Sequence, residues 1–364
     1  MSLANLVDFG IMKKTALVLA LTSLLTPVFL AAQDHAKGVL LALSKRDGTL
    51  AIVDPVNLQV LARVPVGKDP HEVVASADGK TAYVSNYGGG AYNTISVVDL
   101  IRRSALPPID LGPLRGPHGL AFAAGKVWFT AETAKAIGSY DPATGKIDWV
   151  LGTGQDRTHM IFVGDDAKGI ITTNTSSGTV TLIQKGAPPT GGPPPGMPPG
   201  MPAGPPGRPM GPPPGPLWDE TVIPVGHGSE GFDVSPDGKE IWVANAQDGT
   251  ISIIDVASKT VATLPANAQG GNRLKFTLDG KRVLVSSLGN AGFIVFDTGS
   301  RQEVKRLHPG HGAAGILMHP DGKRAYVACT PDNFVAVVDL ESLQVVDRID
   351  VGPEPDGLAW AAQP

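Results

Sequence analysis

The sequence predicts an all-β fold, a seven-bladed β-propeller of four-stranded antiparallel blades, and three observations carry that prediction. An Asp-Gly-Lys turn recurs at a long, near-constant interval, with Gly238, Gly280 and Gly322 each 42 residues apart. A short apolar run ending in Asp recurs in step with it. The two ends of the repeat region each hold a fragment of one further unit. Short apolar runs punctuated by turns at so long a period signal a propeller or another repeat array.

Along one unit the order is strand, Asp-Gly turn, strand, loop, strand, Asp turn, strand, which is the content of a propeller blade. The first turn and second strand read SADGKTAYVSN (76–86), SPDGKEIWVAN (235–245), TLDGKRVLVSS (277–287) and HPDGKRAYVAC (319–329), with weaker copies AAGKVWFTAE (123–132) and GDDAKGIITTN (164–174). The third strand ends at Asp54, Asp99, Asp141, Asp255, Asp297 and Asp339, and at Gln184 in the seventh copy. Asp at such a point accepts hydrogen bonds from backbone amides two residues on, so these carboxylates are read as turn formers rather than catalytic acids. The closing blade is composite. EPDGLAWA (354–361) supplies an inner strand, and GVLLALS (38–44), TLAIVDP (49–55) and QVLARVPV (59–66) supply the other three. Joining them completes a ring and removes exposed sheet edges.

Ahead of the ring, Lys13-Lys14 followed by an apolar run reads as a secretory signal peptide over 1–32, with 1–11 a possible mis-called start, and the propeller over 33–364. A periplasmic or secreted protein is expected, with no membrane span in the mature chain. Formal charge is −4, and −5 after removal of 1–32, so a general nucleic-acid surface is disfavoured. Aromatic residues are only 5% of the chain, which leaves few rings for base stacking. The single thiol, Cys329, lies in a strand and reads as core. Residues 187–216 hold 15 Pro and 8 Gly, too many to build a core, and glycines step by four at 192, 196, 200 and 204, which fails collagen's rule. Subtracting these residues restores the repeat, so the tract is an insertion between the third and fourth strands of blade three, expected to be disordered or PPII-like. A protein partner could dock there on a PPII segment. A monomer is expected.

Chemistry-bearing residues gather at one place in the repeat. Eight residues before each turn glycine, or its equivalent, stand His71, His159, Glu230, Asn272 and Ala314; blade two, one residue shorter, gives His118, and the closing blade gives Asp356. These residues begin the inner strands and so should ring one mouth of the central channel. His71, His118 and His159 with Glu230 and Asp356 are the candidate metal ligands, because imidazole with carboxylate suits a divalent transition metal such as Zn or Cu. Arg157, His227, Asn272, Arg273 and His311 border the same mouth as candidate ligand-binding residues, the arginines for an anion. Any one of these histidines could instead only cap backbone groups. Glu72, Glu132 and Asp156 are acids near the mouth that no spacing pairs with the ring.

AYVSN, IWVAN and AYVAC, each following an Asp-Gly-Lys turn, make residues 36–362 resemble the YVTN-repeat seven-bladed propellers. That resemblance implies a non-enzymatic exported binding protein that recognises a small molecule, metal ion or protein partner at the channel mouth. Propellers of similar architecture also imply two enzymatic alternatives. One is a metal-dependent hydrolase or lyase of the lactonase or streptogramin-lyase type; the other is a copper oxidoreductase using the same histidines.

Overall fold

The structure is a computed structural model that describes residues 37–186 and 217–363. Seven four-stranded antiparallel sheets succeed one another along the chain. Blade 1 spans 70–110, blade 2 117–152, blade 3 158–224, blade 4 229–265, blade 5 271–307 and blade 6 313–349. Blade 7 is the composite one. Pro355–Ala362 pairs antiparallel with Gly38–Ser44, placing Leu40 opposite Trp360 and Val39 opposite Ala361.

The burial pattern explains the strand sequences. The middle strands carry continuous apolar runs because neighbouring blades cover both faces; Trp242, Val243 and Ala244 are each fully buried. The outermost strands, such as Gln59–Pro65 and Lys146–Gly152, alternate between exposed and covered side chains, as one-sided strands do. Cys329 is part of the core between blades 5 and 6, and burial pushes its thiol up to about 12. The Asp-Gly turns place Gly79, Gly238, Gly280 and Gly322 at φ between 65° and 71°. Ala167 adopts φ 51° at the same place in the weakest copy, a conformation that costs a residue with a Cβ.

The third-strand aspartates build turns, with one refinement. Asp54, Asp99 and Asp141 accept from amides two residues on, at 2.8, 2.9 and 2.8 Å. Asp255, Asp297 and Asp339 accept from amides three residues on, at 2.7, 2.8 and 2.7 Å.

The proline-rich insertion falls between Thr179–Lys185 and Trp218–Pro224, the third and fourth strands of blade 3. The residues that flank it are held together: Lys185 pairs with Trp218, and the Gly186 amide donates to the Leu217 carbonyl at 2.7 Å. The tract 187–216 itself and the expected leader 1–32 lie outside the described residues. Among the described residues no helix is long and apolar enough to cross a membrane.

Alternate side chains of the inner strands face the central channel. Glu72, Met160 and Arg273 form one level with four glycines, and Val74, Phe162, Asp233, Lys275 and Leu317 lie two residues deeper. Beneath the first level is a 440 Å³ cavity with largely apolar walls, including Val74, Phe122, Phe162, Leu317 and Trp360.

Candidate functional site

All seven inner strands break register where they enter the sheet. In blades 1 to 3 the shift lies between Pro70 and Val73, Pro117 and Leu120, and Thr158 and Ile161. The same irregularity recurs in blades 4 to 6 and opposite Pro355–Leu358 in the closing blade. His71, His118, His159, Glu230, Asn272, Ala314 and Asp356 all fall inside these bulges. A bulge re-aims its side chains, and here it does so at the channel mouth.

The histidines form a contiguous arc. The imidazole centroids of His71 and His118 are 4.8 Å apart, and those of His118 and His159 are 3.8 Å apart. Nδ1 of His159 is hydrogen-bonded to Glu132, and its Nε2 lies 2.8 Å from Oε1 of Glu230, an ionic contact out of line for a hydrogen bond. Glu132 also accepts from the Tyr87 hydroxyl and lies 3.5 Å from Nε of Arg157. At the other end of the arc, Nε2 of His71 is 3.1 Å from Asp69, and its Nδ1 is 3.6 Å from Asp356. Lys45 reaches both carboxylates, at 3.8 and 3.3 Å.

The candidate metal ligands are most tightly grouped at His118, Glu132 and His159. One ligand atom from each lies within 4.8 Å of the others, and all three residues are buried. Nδ1 of His118 is buried without any hydrogen-bond partner.

The electrostatics set the two inner imidazoles apart. Burial holds His118 well below its ordinary 6.5, and the neighbouring positive charge of His159 adds to the effect, so His118 is neutral. Burial also opposes charge on His159, but Glu230 and Glu132 more than offset it and raise the imidazole to about 9. Glu230 moves the opposite way: burial disfavours its carboxylate, yet His159 and Arg273 hold it down at about 2. The His71 hydrogen bond likewise holds Asp69 at about 2. Burial and then Glu132 push the Tyr87 hydroxyl up to about 12, so it remains a donor.

The structure thus brings together His71, His118, His159, Glu230 and Asp356 from the sequence-derived ring. Arg157 stands at the rim with its side chain 47% exposed. Arg273 is placed differently from the expectation of an anion-holding side chain. Strand alternation turns it into the channel, where it is buried, ion-paired with Glu72 of blade 1, and bonded to the Asn272 carbonyl at 3.2 Å. This pair spans the channel beneath the histidines. Asn272 is buried with its Oδ1 unpartnered. His227 and His311 are exposed and pair with Asp248 and Asp332, at 3.2 and 3.0 Å; among the described residues neither joins the buried group.

Glu132, Tyr87 and Lys45 are the residues that inner-strand spacing did not connect to the site. They share a position of their own. Each immediately follows the second strand of its blade, after Ala131, Asn86 and Ser44. Aligning that position through the repeat gives Lys45, Tyr87 and Glu132 in consecutive blades, a second ring beside the first.

No family model matches this chain, and no curated protein matches it. Solved structures match its fold. A protein of unknown function from Desulfotomaculum acetoxidans has a TM-score of 0.68 and 12% identity, covering 90% of this chain and all of that one. A candidate 6-phosphogluconolactonase from Bacteroides fragilis has a TM-score of 0.66 and 16% identity, covering 89% and 98%. A dihydro-heme d1 dehydrogenase in complex with its ligand has a TM-score of 0.58 and 14% identity, covering 89% and 75%. These likenesses establish the seven-bladed fold.

Proposed function

We propose that the chain is an exported binding propeller whose mouth holds a divalent transition metal, Zn(II) or Cu(II), through His118, Glu132 and His159, and there recognises a small ligand or partner. The observation that carries this reading is the unpartnered, buried Nδ1 of His118 beside a carboxylate and a second imidazole, with one ligand atom from each within 4.8 Å of the others. A buried polar atom without a partner is costly unless something binds it. Charge supports the same conclusion. Asp69, Glu72, Glu132, Glu230 and Asp356 crowd a mouth whose fixed cations are Lys45, Arg157 and Arg273. The imidazolium of His159 answers part of the excess, and a metal takes its place once that proton leaves. Two imidazoles with a carboxylate suit zinc or copper, and Glu230 and His71 flank the triad, against His159 and His118 respectively. Arg157, half-exposed at the rim, would supply positive charge for an anionic group on whatever binds.

Metal analysis of the purified protein tests the reading. Wild type is expected to retain close to stoichiometric metal, and the double variant His118→Ala/His159→Ala none, with unchanged far-UV circular dichroism. Full retention by that variant refutes the site.

A second reading rests on one specific observation. Two imidazoles 3.8 Å apart are held in opposite states, His118 neutral and His159 charged, which is the arrangement of a general base beside a general acid. A hydrolase acting on lactones fits that pair, and the likeness to a candidate 6-phosphogluconolactonase names the first substrate class to try. Lactone turnover abolished in His118→Ala would favour it; ligand-induced thermal stabilisation without turnover favours the binding reading.

A further inference from the structure

We infer that Ser85, Thr130 and Thr173 are positioning residues of the mouth, each gripping from the preceding blade the main chain of one member of the His118–His159–Glu230 arc. The inference rests on the metal reading above. Each hydroxyl occupies the last-but-one position of a second strand. Ser85 Oγ donates to the His118 carbonyl at 2.7 Å, Thr130 Oγ1 to the His159 carbonyl at 2.8 Å, and Thr173 Oγ1 to the Glu230 carbonyl at 2.7 Å. Each oxygen also accepts an amide of its own inner strand: Glu72 N at 3.1 Å, Gly119 N at 2.9 Å and Met160 N at 3.3 Å.

The bulges explain why the main chain needs these contacts. Where register shifts, the ladder stops supplying partners to the bulged residues, so a carbonyl there must find another donor. The hydroxyl provides it and ties adjacent blades together at the height of the cluster.

Three of the four such hydroxyls fall on the His118–His159–Glu230 stretch of the arc. Ala244, Ala328 and Leu43 take the equivalent position ahead of Asn272, Asp356 and His71, and carry no hydroxyl. The remaining hydroxyl, Ser286, grips the carbonyl of Ala314 at 2.5 Å, where the ring has no ligand side chain. Thr130 is the most consequential. Glu132, two residues further along the same segment, holds the His159 imidazole, so blade 2 fixes both the backbone and the ring of a residue in blade 3. Loss of the hydroxyl frees the strand on which both imidazole contacts depend.

Ser286 supplies an internal control, since its removal breaks the same kind of contact away from the ligands. Full-length wild type, Thr130→Val, Thr130→Ser and Ser286→Ala are titrated with Co(II), reading affinity, the visible ligand-field spectrum and the urea midpoint. Thr130→Val is expected to weaken Co(II) about tenfold, the scale of lost supporting contacts at metal sites, and to alter the spectrum. Thr130→Ser restores both. Ser286→Ala lowers the midpoint but leaves affinity and spectrum as in wild type. Should Thr130→Val not fold, Ser85→Ala, which frees His118, takes its place with the same expectation. Equal losses of Co(II) affinity in Thr130→Val and Ser286→Ala, or no loss in either, overturn the inference while leaving the metal site standing. Wild type that takes up no Co(II) overturns the metal reading and this inference with it.

Discussion

In metal-free protein His159 is an imidazolium sealed between two carboxylates, and its proton belongs to the stability of the fold. The folded group titrates at about 9 against 6.5 for an ordinary imidazole. A raised value means that the contribution is present in full below pH 6.5 and is lost as pH rises through about 9. At about 1.4 kcal/mol per pH unit the whole contribution is about 3 kcal/mol, of which about 2 kcal/mol disappears between pH 6.5 and 8.5. The residue is 2% exposed, so solvent screening does little to reduce it. Cys329, raised from 9.0 to about 12 by burial, weakens the fold only from about pH 9 upward, which is why the upper measurement stops at 8.5. His118 and His319, held neutral by burial, give a smaller change of opposite sign. Comparison with Glu132→Gln cancels that background. The assay is urea denaturation with a chelator present, at pH 6.5 and 8.5, for wild type and Glu132→Gln. The variant breaks a buried ion pair and should lose about 3 kcal/mol at pH 6.5, with a flatter pH dependence. Equal slopes in the two proteins would refute the assignment of a shared proton to this pair.

Four further outcomes are expected. Gly119→Ala would place a Cβ 2.5 Å from the His159 carbonyl oxygen and 2.8 Å from Met160 Cα, so it should cost about 1–3 kcal/mol by forcing blades 2 and 3 apart; an unchanged urea midpoint would contradict this packing. Asn245→Ala removes a buried amide that donates to Thr250 and Ser252, both at 2.9 Å, and a loss of about 1–3 kcal/mol is expected in the same assay. Replacing 187–216 by a short turn should leave the melting temperature nearly unchanged, because Gly186 and Leu217 already meet at 2.7 Å; a large fall would show that the tract packs on the blade. Truncation after Gly352 removes the inner strand of blade 7 and exposes the edge of Gly38–Ser44, so light scattering should report more aggregation than for the full chain.

Much of the site could be read from the repeat because a propeller converts equal sequence positions into equal places around an axis. His71, His118, His159, Glu230 and Asp356 were assembled by counting back from a turn glycine, and they lie in one arc. Glu132 escaped the same counting. It acts across a blade boundary, on His159 in the next repeat, and spacing within a repeat is silent about which loop leans on its neighbour. Arg273 shows a different gap. Its position at the head of an inner strand was legible, but whether its guanidinium faced the mouth or the channel turned on one step of strand alternation at an irregular register. His227 and His311 share the mouth-side loops, yet their imidazoles are met by Asp248 and Asp332.

The seven-fold repeat, the composite closing blade, the place of the proline-rich insertion and the identity of the residues that begin each inner strand are all legible along the linear chain. Those features are local, written in turn glycines, strand-ending aspartates and apolar runs whose formation depends on near neighbours in the chain. That His118 is neutral and His159 charged, that Glu132 completes the group, and that Glu72 and Arg273 bar the channel below emerges only when the blades are assembled. These are matters of distance and burial between residues up to 201 positions apart, and a carboxylate's field on an imidazole exists only once closing the ring has brought them together away from water.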